Sequence, residues 1–189
     1  MRTIDTSTLD LLASPQIRLI GPIDAAMYET FREQLGGKPP AGPIAVAMTT
    51  LGGDPDVARA MADDIRLLRE CDNRTTLFLG KATVYSAGTT FMAGFPVGDR
   101  YLTRNTRIMI HERSLDKTLE LSGPLSGVLC KVKQTVHEIE QSIAIEEEGF
   151  RAIVKGSKIP FETLRERAPE AWYMDCQEAL ELGLIADVI

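Results

Sequence analysis

Short apolar runs alternate along the chain with longer stretches of helical period: IRLIG (17–21), AAMYETFREQL (25–35), IAVAMTT (44–50), PDVARAMADDIRLLREC (55–71) and TTLFLG (75–80). Short unbroken apolar runs suit strands buried on both faces. Apolar positions at three- and four-residue steps suit helices packed along one side. The alternation therefore predicts a β-α-β-α-β series, an α/β fold with largely parallel strands. GGKPPAGP (36–43) reads as a loop inside that series, because the alternation resumes directly after it. Further on, the pattern predicts a helix over 87–93, a Gly/Pro turn GFPVGDR (94–100) and a strand in RIMIHE (107–112).

Over residues 125–155, Leu129, Val132, Val136, Ile139, Ile143 and Ile145 recur mostly at three- or four-residue steps, which predicts one long amphipathic helix. A chain of 189 residues cannot cover such a helix along its whole length. It is expected to project, and its apolar side then needs a partner subunit. The chain closes with a short helix near 161–166, the run AWYM, QEALELG with Gly183 as a helix stop, and a terminal strand in LIADVI.

Composition narrows the function. A formal net charge of -6, with Lys and Arg scattered among a larger number of acids, argues against nucleic acid as a partner. Cys71, Cys130 and Cys176 are odd in number and lack metal-ligand spacing, which reads as reduced thiols of a cytoplasmic protein. No segment approaches a signal peptide or a membrane span. No cofactor or metal is expected. The acidic run EIEQSIAIEEEGF (138–150) and His137 read as a solvated helix face rather than a ligand set.

The chemistry gathers around TVYSAGTTFMAG (83–94), where Ser86 stands between a strand-like run and a helix-like one. A serine there is a helix cap, a packing residue or a nucleophile. TTLGGDPDVARA (49–60) also joins a strand to a helix, and its paired glycines let backbone N–H groups turn outward, as an oxyanion hole requires. The N–H of Ala87 opens the helix after Ser86 and offers a second donor. His111 ends RIMIH and carries the side chain best suited to accept a hydroxyl proton near neutral pH. Two enzyme templates fail: the nucleophile elbow G-x-S-x-G meets Val84 where it needs glycine, and the phosphate loop G-x-x-x-x-G-K-[ST] is absent.

LGGDPDVARAMADDI, GKATVYSAGTTFMAGFPVGDR, RIMIHE and QEALELGLIADVI stand in the order of the Clp protease proteolytic-subunit family, and from Arg18 to Ile189 the chain resembles a divergent member of it. The most specific element is the interval from Ser86 to Arg100, fourteen residues on, and to His111, twenty-five residues on. The resemblance implies a Clp/crotonase-type fold of repeated β-β-α units in one domain over 1–189. Its head would span about 16–112 and 156–189, and a projecting handle about 123–155. It implies a serine peptidase with Ser86 as nucleophile, His111 as general base, and Gly53 and Ala87 as oxyanion donors. Peptide or unfolded protein would be the substrate, homo-oligomeric stacked rings the assembly, and an AAA+ ATPase an admissible partner. The alternatives are a non-catalytic Clp-like structural subunit and an acyl-CoA enzyme of the crotonase group.

Three departures from the family pattern stand out. The stretch from Gly80 to Ser86 is two residues longer, and the N-terminal segment leaves little material for the loops that contact an ATPase. The acid that would orient the histidine falls at Ala171. Glu170, its neighbour, is the candidate third member, with Asp175 and Glu166 as further carboxylates nearby. Loss of such an acid costs on the order of 10⁴ in rate where a triad depends on it.

Overall fold

The computed structural model describes residues 4–39 and 41–189. The chain forms α1 (Thr6–Ala13), β1 (Ile17–Ile20), α2 (Ala25–Gly36), β2 (Ile44–Thr50), α3 (Pro55–Glu70), β3 (Thr76–Tyr85) and α4 (Ala87–Met92). It continues through β4 (Arg100–Leu102), β5 (Arg107–Ile110), α5 (Leu125–Val154), α6 (Phe161–Arg167), β6 (Trp172–Asp175), α7 (Cys176–Glu181) and β7 (Asp187–Val188). The strands make one sheet in the order β1-β2-β3-β4-β7, and β5 pairs with β3 and with β6. All pairings are parallel except β5 with β6.

The central strands are buried on both faces, which is why their sequences read as unbroken apolar runs. Ile44, Val46 and Met48 of β2 join Phe78 in the larger core under α2, α3 and α4. Ala45 and Ala47 alternate with them onto the opposite face, where they pack with Leu77, Leu79, Tyr101 and Leu12. Leu12 comes from α1, a helix that the apolar pattern does not announce. Its sequence TSTLDLLA buries only that one residue, and its start is fixed by the Asp5 carboxylate accepting from the Thr8 N–H. This helix takes up most of the described residues before β1, and residues 1–3 lie outside the described residues.

Before Ser86, β3 carries a bulge. Met48 pairs with Gly80 and Thr50 with Val84, so two steps along β2 match four along β3. Ala82 takes a left-handed φ of 58° within the bulge, and the Thr49 hydroxyl donates to the Lys81 carbonyl at 2.9 Å across it. The strand predicted to stop at Gly80 therefore continues to Tyr85 and delivers Ser86 at its end.

Helix α5 has 30 residues, about 45 Å at 1.5 Å per residue. Only Phe150, Ile153 and Val154 of it are buried, all near its C-terminus. The rest extends away from the sheet with Leu129, Val136, Ile139 and Ile143 exposed. Arg100 ties the buried end to the head. The residue is 1% exposed, and its guanidinium donates to the carbonyls of Phe95 (2.8 Å), Ile153 (3.0 Å) and Leu184 (3.4 Å). Burial lowers its pKa to about 10, which leaves it charged at neutral pH.

Candidate functional site

Ser86 is the residue between β3 and α4, with φ 53° and ψ -120°. A non-glycine residue in that region costs of the order of 1–3 kcal/mol and persists only where its surroundings over-determine it. Those surroundings are visible. The Ser86 N–H donates to the Met109 carbonyl at 2.8 Å, and its own carbonyl accepts from the Thr89 N–H (2.9 Å) and hydroxyl (2.7 Å). The Ser86 side chain makes no hydrogen bond to the helix it precedes, so the hydroxyl is not spent on a cap. The strained strand-to-helix turn forms here without the leading glycine that the nucleophile-elbow motif calls for.

Room for that turn is made by glycines elsewhere. A Cβ on Gly52, whose φ is +112°, would lie 2.7 Å from the Ser86 Cβ, and one on Gly88 would lie 2.5 Å from the Thr50 methyl. Gly53 has φ +146°, and a Cβ there would meet the Ile23 carbonyl at 2.2 Å. The turn is pinned from both sides: Ile23 donates to the Gly52 carbonyl at 2.9 Å and accepts from the Asp54 N–H at 2.7 Å. These bonds bracket Gly53 and use neither its N–H nor its carbonyl. Inside the turn, the Thr50 hydroxyl accepts from the Gly52 N–H at 3.0 Å. Asp54 then caps α3 through the N–H groups of Asp56 (2.8 Å) and Val57 (3.2 Å).

His111 follows β5, and its Nε2 lies 2.7 Å from the Ser86 hydroxyl oxygen. This is a separation at which a hydroxyl proton can pass to an imidazole. Gly53, Ser86, Ala87 and His111 all line one cleft of about 610 Å³. Its apolar side is made by Ile110, Phe150 and Ile153, with Ile139 and Ile143 of α5 along the rim. Ala87 is the first residue of α4, so its N–H has no preceding turn to bond to.

Among the described residues Glu170 makes no hydrogen bond or ion pair with His111. Glu170 closes a 3-10 turn over Ala168–Glu170, and among the described residues no carboxylate hydrogen-bonds or ion-pairs with the His111 ring. Asp175 is engaged elsewhere: its carboxylate caps α7 by accepting from the Gln177 and Glu178 N–H groups, both at 2.9 Å. Those backbone bonds, with Glu178's the largest, hold its carboxyl below the usual range. In the antiparallel ladder Met109 pairs with Tyr173 and Ile110 with Trp172, and His111 and Ala171 are the residues that flank its end.

Sequence reading did not single out Thr50, Asp56 or Arg113. A side-chain acceptor two residues before a paired glycine was a signal for the first. Nothing local signals the other two, which meet from 57 positions apart. Among the described residues no group of acids, histidines and cysteines is placed to hold a metal ion, and no helix is long and apolar enough to cross a membrane.

Comparison with known proteins agrees with the fold and the order of motifs. The sequence profile of the Clp protease family matches residues 2–189, and the chain belongs to that family. It is 26% identical over 183 residues to the ATP-dependent Clp protease proteolytic subunit 2 of Treponema pallidum, covering 94% of this chain and 83% of that one. It is 24% identical over 147 residues to the ATP-dependent Clp protease proteolytic subunit of Paracoccus denitrificans, covering 78% of this chain and 66% of that one. Among solved structures it superposes on a ClpP1 mutant from Listeria monocytogenes with a TM-score of 0.71, at 20% identity, covering 97% and 95% of the two chains. The fold is accordingly the α/β Clp type.

Proposed function

We propose that the protein is a serine peptidase of the Clp type. The observation that carries this reading is the 2.7 Å contact between the Ser86 hydroxyl and His111 Nε2 at a strained turn facing a cleft. Ser86 Oγ attacks a peptide carbonyl carbon while His111 takes the hydroxyl proton. The N–H groups of Gly53 and Ala87 stabilise the oxyanion. Collapse of the tetrahedral intermediate breaks the C–N bond, and His111 returns the proton to the leaving amine. Water, deprotonated by the same imidazole, then hydrolyses the acyl-enzyme and restores Ser86.

Family membership and the exposed apolar residues along α5 support an assembled form. The subunits stack as homo-oligomeric rings through this helix, in the cytoplasm, and receive unfolded protein from an AAA+ ATPase. A second reading, a non-catalytic ring subunit, draws on one observation: His111 has no carboxylate partner among the described residues. Hydrolysis of a small peptide ester by the parent protein and by Ser86→Ala separates the two. Turnover lost in the variant, with assembly intact, supports the peptidase. Equal turnover in both rules it out.

A further inference from the structure

The segment behind His111 is attached in an unusual way. Residues 112–123 form neither helix nor strand, and among the described residues none of them takes part in a backbone–backbone hydrogen bond. Side chains make the attachments instead. The Arg113 N–H donates to a carboxylate oxygen of Glu146 on α5, and the Arg113 guanidinium donates to Asp56 Oδ1 at 2.6 Å. Further along, the Lys117 ammonium donates to Glu138, also on α5. Asp56 stands in the first turn of α3, three residues after Gly53, and Arg113 stands two residues after His111. Arg59 reaches the same Asp56 carboxylate at 3.9 Å and Glu148 of α5 at 3.5 Å.

Asp56 is thus a junction of the glycine turn, the segment carrying the base and the projecting helix. Arg113 and Asp56 both line the cleft that holds Ser86 and His111. An ion pair in which Asp56 is 67% exposed contributes little to global stability. Its effect is local, because the segment it holds has no ladder of backbone bonds to fix its position.

We propose that Arg113 is a positioning residue. By joining Asp56 to the segment behind His111, and that segment to Glu146, it sets the imidazole and the Gly53 turn at a fixed separation on either side of Ser86. It matters here because, among the described residues, no carboxylate bonds to the imidazole directly. The role rests on the peptidase reading, although the tether itself is a structural claim that can be tested without turnover.

The test compares Arg113→Gln, Asp56→Asn, the double variant and Arg113→Lys on a small peptide ester. Misplacing a catalytic group by about 1 Å can cost about 10²-fold, so each single variant should lose between about ten- and a hundred-fold in kcat. KM should move by less than about threefold, since substrate contacts remain. The double variant should be no worse than either single, and Arg113→Lys should recover part of the loss. Additive losses, an unchanged kcat, or a loss confined to KM would overturn the proposal. Should Arg113→Gln fail to fold, Asp56→Asn, a change at an exposed carboxylate, carries the comparison alone. A parent that neither turns over nor reacts at Ser86 removes the peptidase reading. Amide exchange then decides the tether: faster exchange in 112–116 of Asp56→Asn supports it, and unchanged exchange discards it.

Discussion

Ala171 and His111 flank the end of the β5–β6 ladder, each the residue next to its last pair, Ile110–Trp172. The Ala171 φ of 57° is left-handed, a conformation that aspartate and asparagine tolerate better than most residues. Ala171→Asp should therefore fold as well as the parent and put a carboxylate beside the unpaired side of the imidazole. An orienting acid is worth up to about 10⁴ in kcat, and we expect a rise of at least about tenfold. Steady-state kinetics on a peptide ester reads it. An unchanged or lower kcat would mean that His111 is already held as the chemistry needs.

Gly52→Ala should damage activity through the position of Ser86. The added Cβ would stand 2.7 Å from the Ser86 Cβ, at a position whose φ of +112° already disfavours a side chain. Displacing Ser86 to relieve that clash should lower kcat by about 10²-fold. Gly42→Ala is the control, since φ is +95° there with nothing within 4 Å. It should cost a little stability and leave kcat unchanged.

Arg100→Met should lower stability by about 3 kcal/mol, because the carbonyls of Phe95, Ile153 and Leu184 lose a charged donor inside the protein. Arg100→Lys should recover only part of this, since an ammonium cannot span three carbonyls as a planar fork does. Urea unfolding of both variants checks the order. Equal stability of parent and Arg100→Met would refute the clamp.

Leu129→Glu with Val136→Glu places charge on the exposed apolar side of α5. If that side joins two rings, light scattering should show the variant at about half the parent's mass or less, with the secondary structure unchanged. A variant of the parent's mass would move the interface elsewhere.

Periodicity made the strand-helix series legible, because each element buries a face that its own sequence repeats, and it made α5 legible through an apolar repeat that this chain leaves exposed over most of its length. It missed α1, whose single buried residue Leu12 packs on the small side chains Ala45 and Ala47, a relation that no local period carries. The bulge in β3 was not legible, because its shape depends on pairing with β2. Ser86 and His111 were legible through their interval and meet at 2.7 Å. Glu170 was chosen by proximity in sequence, but the 3-10 turn that it closes does not pair it with His111. Arg113 and Asp56 belong to no motif, and only the folded chain brings them together.

The central claim is that Ser86 is an activated nucleophile, and reaction with a fluorophosphonate probe followed by peptide mapping tests it most directly. The account predicts one modified serine, Ser86, in the parent and in Ala171→Asp, faster in the latter, with no labelling of His111→Ala. Labelling of a serine elsewhere, such as Ser122 or Ser126, or no labelling of the assembled parent, would contradict it.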